Sequence, residues 1–246
     1  MNKVIVLAAG KGTRMNDELP KVLVPVNNKP MIQYLIEAIL ASGVCDKPIV
    51  VVSPDNQDLV KKALNSFDCD YAIQKEQLGT GHAFASARDL IGSEVENLIS
   101  FYGDHPFLKP ESMRKLVKEH KGALTMMTVN VPNFDKWHNN FYRWGRIVRD
   151  MNGKIEKIVE FKDASDDTKR ICEVNPGLFC FDKKWLIDNI DKLRNENNQQ
   201  EYYLTDMVKM AFAEGHEIAS SSIDPKEAMG INSKEELAIA ESLFDK

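Results

Sequence analysis

Three cations, Lys11, Arg14 and Lys21, fall within one short segment that also carries Gly10 and Gly12. Glycines let backbone N–H groups approach an anion with no side chain in the way, and clustered positive charge favours what they hold. A polyphosphate suits that combination. Two familiar phosphate loops do not fit, because Met15 stands where the dinucleotide fingerprint needs a third small residue and no Gly-Lys-Ser/Thr ending completes a P-loop. Spacing alone therefore leaves open an ordinary tight turn with solvated Lys and Arg side chains.

Asp104, in Tyr102-Gly103-Asp104-His105-Pro106, is the next residue suited to chemistry. A carboxylate at the carboxyl end of a buried strand is well placed to hold a hard cation such as Mg²⁺, although it could equally cap a loop. One carboxylate is a thin cage, so metal binding requires phosphate oxygens and a further protein oxygen. Asn232 is the candidate, in competition with a plain role beside a helix cap. In Gln77-Leu78-Gly79-Thr80-Gly81-His82-Ala83, Thr80 can cap a helix and the glycines can admit a flat base or ribose. His82 reads better as a satisfied histidine than as a catalyst. Glu160 and Asn175 each sit between apolar neighbours. They suit sugar hydroxyls, or are simply exposed strand residues.

The elements that must carry these groups alternate. Apolar runs at Val4 to Leu7, Ile49 to Val52 and Leu98 to Phe101 predict buried strands, and Tyr71 to Gln74 reads as a further short strand. Helical periodicity follows Lys29-Pro30 as far as Gly43, then recurs from Asp58 to Phe67, from Ala83 to Ile91 and from Glu111 to Glu119. Strand and helix in alternation argue for an α/β fold with a parallel sheet, which binds ligands at the carboxyl ends of its strands. After a strand at Ala123 to Val131, residues 132 to 143 mix aromatic and polar side chains without a period. Asn152-Gly153 then predicts a hairpin between Trp144–Val148 and Ile155–Phe161, forming a β-rich flap over the sheet. Trp185 to Leu193 reads as a helix. A further helix is expected to open at Glu201-Tyr202-Tyr203-Leu204-Thr205-Asp206 and run to Glu214, with tyrosines that line a pocket or only pack. Ser233 and Glu236 form a capping box for a final helix.

Composition excludes several classes. With 43% hydrophobic residues, 28% charged residues and a formal net charge of -5, the chain has no overall pull toward nucleic acid or an anionic membrane. Cys45, Cys69, Cys172 and Cys180 show neither CxxC spacing nor a nearby histidine set, which predicts reduced thiols in a cytoplasmic protein. No run reaches membrane-spanning length, and the first strand is too short for a signal peptide. Oligomeric state is left open.

LAAGKGTRM, LPKVL, QLGTGHA, YGD, GRI, IVEFKDA, EVN, EYYLTD and GIN, in this order along the chain, resemble the N-acetylglucosamine-1-phosphate uridylyltransferase family of sugar-1-phosphate nucleotidyltransferases. The resemblance implies a Rossmann-like three-layer sandwich with a mostly parallel central sheet and a smaller sugar-binding flap, all in one domain. Residues 1–131 would mainly bind nucleotide, 132–222 sugar, and 223–246 would supply a metal-ligand loop and helix. It implies that Leu7, Ala8, Ala9, Gly10, Gly12, Gln74, Gln77, Gly79, Thr80, Tyr102 and Gly103 border the nucleotide. Arg14 and Lys21 would be the catalytic cations, and Asp104 and Asn232 would hold Mg²⁺. Gly145, Glu160, Asn175, Tyr203 and Thr205 would meet the sugar.

The implied reaction takes UTP and N-acetylglucosamine-1-phosphate to UDP-N-acetylglucosamine and pyrophosphate by in-line displacement. Another phosphate acceptor, such as a different hexose-1-phosphate or phosphocholine, and a non-catalytic nucleotide-sugar binder are the alternatives. No β-helix acetyltransferase domain is expected in a chain ending at Lys246. Pro176 stands where the family has threonine, Trp144 where it has tyrosine, and residues 133 to 144 are longer than the family's loop, the last two bordering the expected sugar pocket.

Overall fold

The computed structural model describes residues 1–10 and 19–244. Its strands are β1 (Asn2–Leu7), β2 (Pro25–Val26), β3 (Lys29–Pro30), β4 (Ile49–Val52), β5 (Asp70–Ile73), β6 (Asn97–Tyr102), β7 (Leu124–Asn130), β8 (Arg146–Arg149), β9 (Ile155–Val159), β10 (Glu173–Val174), β11 (Phe179–Asp182) and β12 (Ala219–Ile223). The helices are α1 (Met31–Ser42), α2 (Gln57–Ala63), α3 (Thr80–Ala85), α4 (Pro110–Lys118), α5 (Asp166–Lys169), α6 (Lys183–Asn189), α7 (Asp206–Ala213) and α8 (Lys234–Phe244). Among the described residues no helix is long and apolar enough to cross a membrane.

One sheet runs in the order β5-β4-β1-β6-β11-β7-β10-β8-β9, with β12 joined to β7, and β2-β3 form a small separate pair. β5, β4, β1 and β6 are mutually parallel. Antiparallel pairing begins at β11, which lies between β6 and β7. β1, β4 and β6 are apolar on both faces because helices cover both, whereas the edge strand β5 is only partly buried. On β1, Val4 and Val6 join the cluster of Ile32, Leu35, Ile36, Met113 and Leu116 from α1 and α4. Ile5 and Leu7 face the other way, onto the cluster of Phe84, Leu186, Met207 and Val208 from α3, α6 and α7. Side-chain alternation along one strand thus generates three layers.

The predicted hairpin forms, but it is continuous with the sheet: β8 pairs with β10 as well as β9, and β10 with β7. Two helix expectations are corrected. The periodicity from Ala83 to Ile91 divides into α3 and a 3-10 turn at Arg88–Leu90. The helix expected from Glu201 starts only at Asp206, because the backbone of Tyr202 is used elsewhere: its N–H donates to Leu78 O at 2.8 Å, and its carbonyl accepts from Gly81 N at 2.8 Å.

Candidate active site

The carboxyl ends of the parallel strands open into a cleft of about 480 Å³. Ladder bonding continues past the strands into its floor, with Ala8 N on Val51 O (2.9 Å), Gln74 N on Val52 O (2.8 Å) and Gly103 N on Leu7 O (3.0 Å). The residues that follow β1, β5 and β6 are therefore held in register with the strands. Leu7, Ala8, Ala9, Gly10, Gln74, Gln77, Gly79, Thr80 and Tyr102 line the cleft together with Lys21 and Asp104. Gly12 and Arg14 lie outside the described residues.

The glycines after β5 also have a packing role. A Cβ at Gly79, whose φ is +104°, would lie 2.7 Å from Tyr202 O, and one at Gly81 would lie 2.5 Å from Leu193 Cδ1. Their bareness admits the 201–202 segment and Leu193, and Gly79 borders the cleft as well. Thr80 is the first residue of α3, with Gly79 as the cap. Its hydroxyl oxygen accepts from Leu204 N at 2.9 Å and so pins the same segment. Gln74 is buried and donates to Gly79 O at 3.1 Å, with His82 Nδ1 at 3.2 Å. Gln77 donates to Ala9 O at 3.1 Å, closing the loop over the end of β1. Gly103 is buried and lends the floor only its ladder bond to Leu7; a Cβ there would sit 3.0 Å from Val22 Cγ1, so it is bare for packing.

A second compartment, about 330 Å³, lies on the antiparallel side. Gly145, Glu160, Asn175 and Thr205 line it, as do Trp144 and Pro176. Asn175 is fixed by donation from its own N–H to Gly145 O (2.9 Å), and its side-chain oxygen accepts from Gly177 N (2.9 Å). Glu160 accepts from the Thr205 hydroxyl at 3.1 Å. Burial raises the Glu160 pKa, Thr205 opposes the shift, and the neighbouring charges of Asp206 and Asp163 add to it. A Cβ at Gly145 would lie 2.8 Å from Ile158 Cγ2 and 3.4 Å from both Glu160 carboxylate oxygens, so glycine is needed for close packing against Ile158. Tyr203 faces a neighbouring cavity, and its hydroxyl takes a hydrogen bond from Gln199 at 2.5 Å.

The wall of this compartment is organised by Arg146, which is fully buried. It faces backbone carbonyls rather than a carboxylate, donating to Tyr142 O at 2.7 Å, to Lys169 O at 3.2 Å and to Trp144 O. The Phe134 ring centroid lies 4.6 Å from its guanidinium carbon. The aperiodic aromatic stretch, which carries a 3-10 turn at Lys136–Phe141, is thereby tied to β8 and α5.

Both compartments include Lys21, Tyr102 and Asp104. Lys21 pairs through Nζ with Asp104 Oδ2 and donates to Asn232 Oδ1. Asn232 is brought there because Ile231 N donates to Asp104 O at 3.1 Å. The capping box supports the same turn: Ser233 Oγ accepts from Glu236 N at 3.2 Å, and the Glu236 carboxylate accepts from Asn232 N. Burial pushes the Asp104 pKa up, but Lys21 and His105 outweigh it and hold the carboxyl well below the usual carboxylate range. The ammonium thus stands as a cation between a carboxylate oxygen and an amide oxygen. That donor pair suits a hard divalent cation if ligand oxygens and water supply the remaining positions.

Sequence reasoning assigned no role to Asn56 or His105. Asn56 is buried and donates to Ala8 O at 2.8 Å, so a turn after β4 braces the cleft floor. Ser53-Pro54-Asp55, a turn signal directly after β4, is the nearest sequence feature. His105 lines the second compartment beside Asp104, with chain adjacency as its only signal.

A parallel-sheet cleft with lysine at its mouth, joined through a lysine–aspartate pair to a polar second compartment, defines a nucleotide-handling α/β protein of the transferase type. The chain belongs to the nucleotidyl transferase family, whose model matches residues 3–224. It is 39% identical over 243 residues to the bifunctional protein GlmU of Clostridium novyi (strain NT), covering 98% of this chain and 51% of that protein. It is 40% identical over 248 residues to the bifunctional protein GlmU of Clostridioides difficile (strain 630), again covering 98% and 51%. With that of Caldicellulosiruptor saccharolyticus the identity is 37% over 238 residues, covering 96% and 50%. The chain spans about half the length of these relatives.

Proposed function

We propose that the chain transfers the uridylyl group of UTP to N-acetylglucosamine-1-phosphate, giving UDP-N-acetylglucosamine and pyrophosphate. The observation that carries this reading is the junction of two compartments at Lys21, Tyr102 and Asp104. In it the first compartment takes the nucleotide and the second the sugar phosphate, so the acceptor's phosphate meets the α-phosphorus at the shared residues. The base and sugar assignments draw on the motif resemblance and on the family.

A phosphate monoester is already largely ionised at neutral pH, so the reaction needs no general base. Positioning and charge neutralisation supply the acceleration. Gln74, Gln77 and Gly79 border the base and ribose. Lys21 turns from Asp104 and Asn232 toward the phosphates and, with Arg14, neutralises the departing pyrophosphate. Glu160, Asn175 and the Gly145 backbone orient the sugar, and a competitor lacking a hydroxyl or amide leaves these buried groups unpaired. Asp104 and Asn232 would hold Mg²⁺, which when bound stabilises charge on the phosphate oxygens.

Pyrophosphate release from UTP, followed across a panel of acceptors, tests the assignment. N-acetylglucosamine-1-phosphate is expected to give the highest kcat/KM. A higher value for another hexose-1-phosphate or for phosphocholine would overturn the sugar, and UTP binding without release for any acceptor in Mg²⁺ would overturn turnover itself.

A further inference from the structure

We propose that His105 is a positioning residue for Asp104: its ring holds the carboxylate so that Oδ2 is directed at Lys21, which also bonds Asn232. The inference rests on the reading of Asp104 as a metal-holding carboxylate.

His105 is only 4% exposed. Its Nδ1 lies 3.1 Å from Asp104 Oδ1, while the other carboxylate oxygen, Oδ2, meets Lys21. An ionised carboxylate can only accept, so Nδ1 is the donor in that bond. Packing fixes the ring from several sides. Tyr102 stacks on it with centroids 5.8 Å apart and planes 30° apart, and Trp144 meets it edge-on at 6.2 Å. Beyond the ring lies Gly230, where an added Cβ would come within 3.3 Å of Cε1 and 3.4 Å of Nε2. The imidazole therefore has little room to rotate away from Asp104.

Nε2 is buried and has no hydrogen-bond partner among the described residues. A buried polar atom left unpaired costs about 1–3 kcal/mol, so an apolar ring or a leucine would fill this space at lower cost if packing were its only duty. What histidine adds at this position is the bond from Nδ1 to Asp104. Carboxylates that ligate metals are themselves held by hydrogen bonds, and loss of such an outer partner typically weakens metal binding about 10–100-fold.

The test is an electron paramagnetic resonance titration of the full chain with Mn²⁺, with and without UTP, alongside UTP binding in EDTA. His105→Leu is expected to weaken Mn²⁺ binding about 10–100-fold while metal-free UTP binding is retained. His105→Asn places its amide nitrogen near the position of Nδ1 and should recover most of the Mn²⁺ affinity. His105→Gln, whose amide reaches toward the position of Nε2, should not. Wild-type Mn²⁺ affinity in His105→Leu would overturn the inference, as would equal affinities in the Asn and Gln variants, a comparison that also guards against a general loss of folding. Asp104→Ala separates the two claims. If it binds Mn²⁺ like wild type, the metal reading of Asp104 fails; if it loses Mn²⁺ while His105→Leu does not, only the positioning role fails.

Discussion

The cleft at the parallel strand ends and the compartment on the antiparallel side, proposed to take nucleotide and acceptor respectively, are built by different means. The first is floored by parallel strands whose ladder bonds run on into Ala8, Gln74 and Gly103, so backbone groups define it. The second stands on the antiparallel side of the sheet and depends on side chains: Arg146 bridging three carbonyl positions, Glu160 held by Thr205, and Asn175 locked onto Gly177. A site set by backbone changes little when a side chain is exchanged. One set by buried polar side chains can be retuned by a few substitutions.

The most severe break should come where the compartments join. Lys21→Met removes the ammonium shared by both and should lower kcat about 100-fold or more, since a preorganised cation facing developing charge typically contributes that much. Steady-state kinetics in both substrates check it. An unchanged kcat would assign Lys21 to binding or folding alone.

Breaking the acceptor wall alone should separate the two regions. Arg146→Met leaves the carbonyls of Tyr142, Trp144 and Lys169 without their donor, and should cost roughly 2–4 kcal/mol of stability. In the folded fraction the KM for the sugar phosphate should rise while that for UTP stays near wild type. Thermal melts and both KM values measure this, and an equal rise in both would mean that the compartments share one support.

Acidification should give the gentlest separation. Because the Glu160 pKa is raised, its carboxylate takes up a proton above the usual glutamate value of about 4.3, whereas Asp104, held low, stays ionised through that range. Acceptor affinity should therefore fall with decreasing pH before UTP affinity does, and Glu160→Gln should flatten the acceptor profile. The stability sign follows from the same shift. A carboxyl whose folded pKa is raised contributes stability below its unfolded pKa and loses it as pH rises through the folded one. Glu160→Gln should accordingly raise Tm at pH 7 more than at pH 4.

How much of this was legible in the sequence follows the same division. The strands β1, β4 and β6 could be read because strands buried on both faces are largely apolar runs, β5 as a short run beside them, and the groups after them, Gln74 and Asp104 among them, inherit their places from the strand ends. Asn232 could be proposed as a partner for Asp104, but only folding brings the two together. The acceptor side was harder to read. Asn152-Gly153 predicted a hairpin, yet nothing local says that β8 also pairs with β10 and so continues the main sheet. Tertiary bonds to Leu78 and Gly81 override helical periodicity at Tyr202, and the same contacts give Gly79 and Gly81 a packing role that no local pattern announces. His105 and Asn56 carry no pattern, because each acts through one contact fixed by the three-dimensional arrangement.

Direct transfer at the shared Lys21–Asp104 junction is the central claim, and the stereochemical course at phosphorus tests it most directly. UTP carrying a chiral thiophosphate at the α-position should give a UDP-sugar with inverted configuration, as one in-line displacement by the acceptor phosphate requires. Retention would mean two displacements through a covalent enzyme intermediate and would contradict the account.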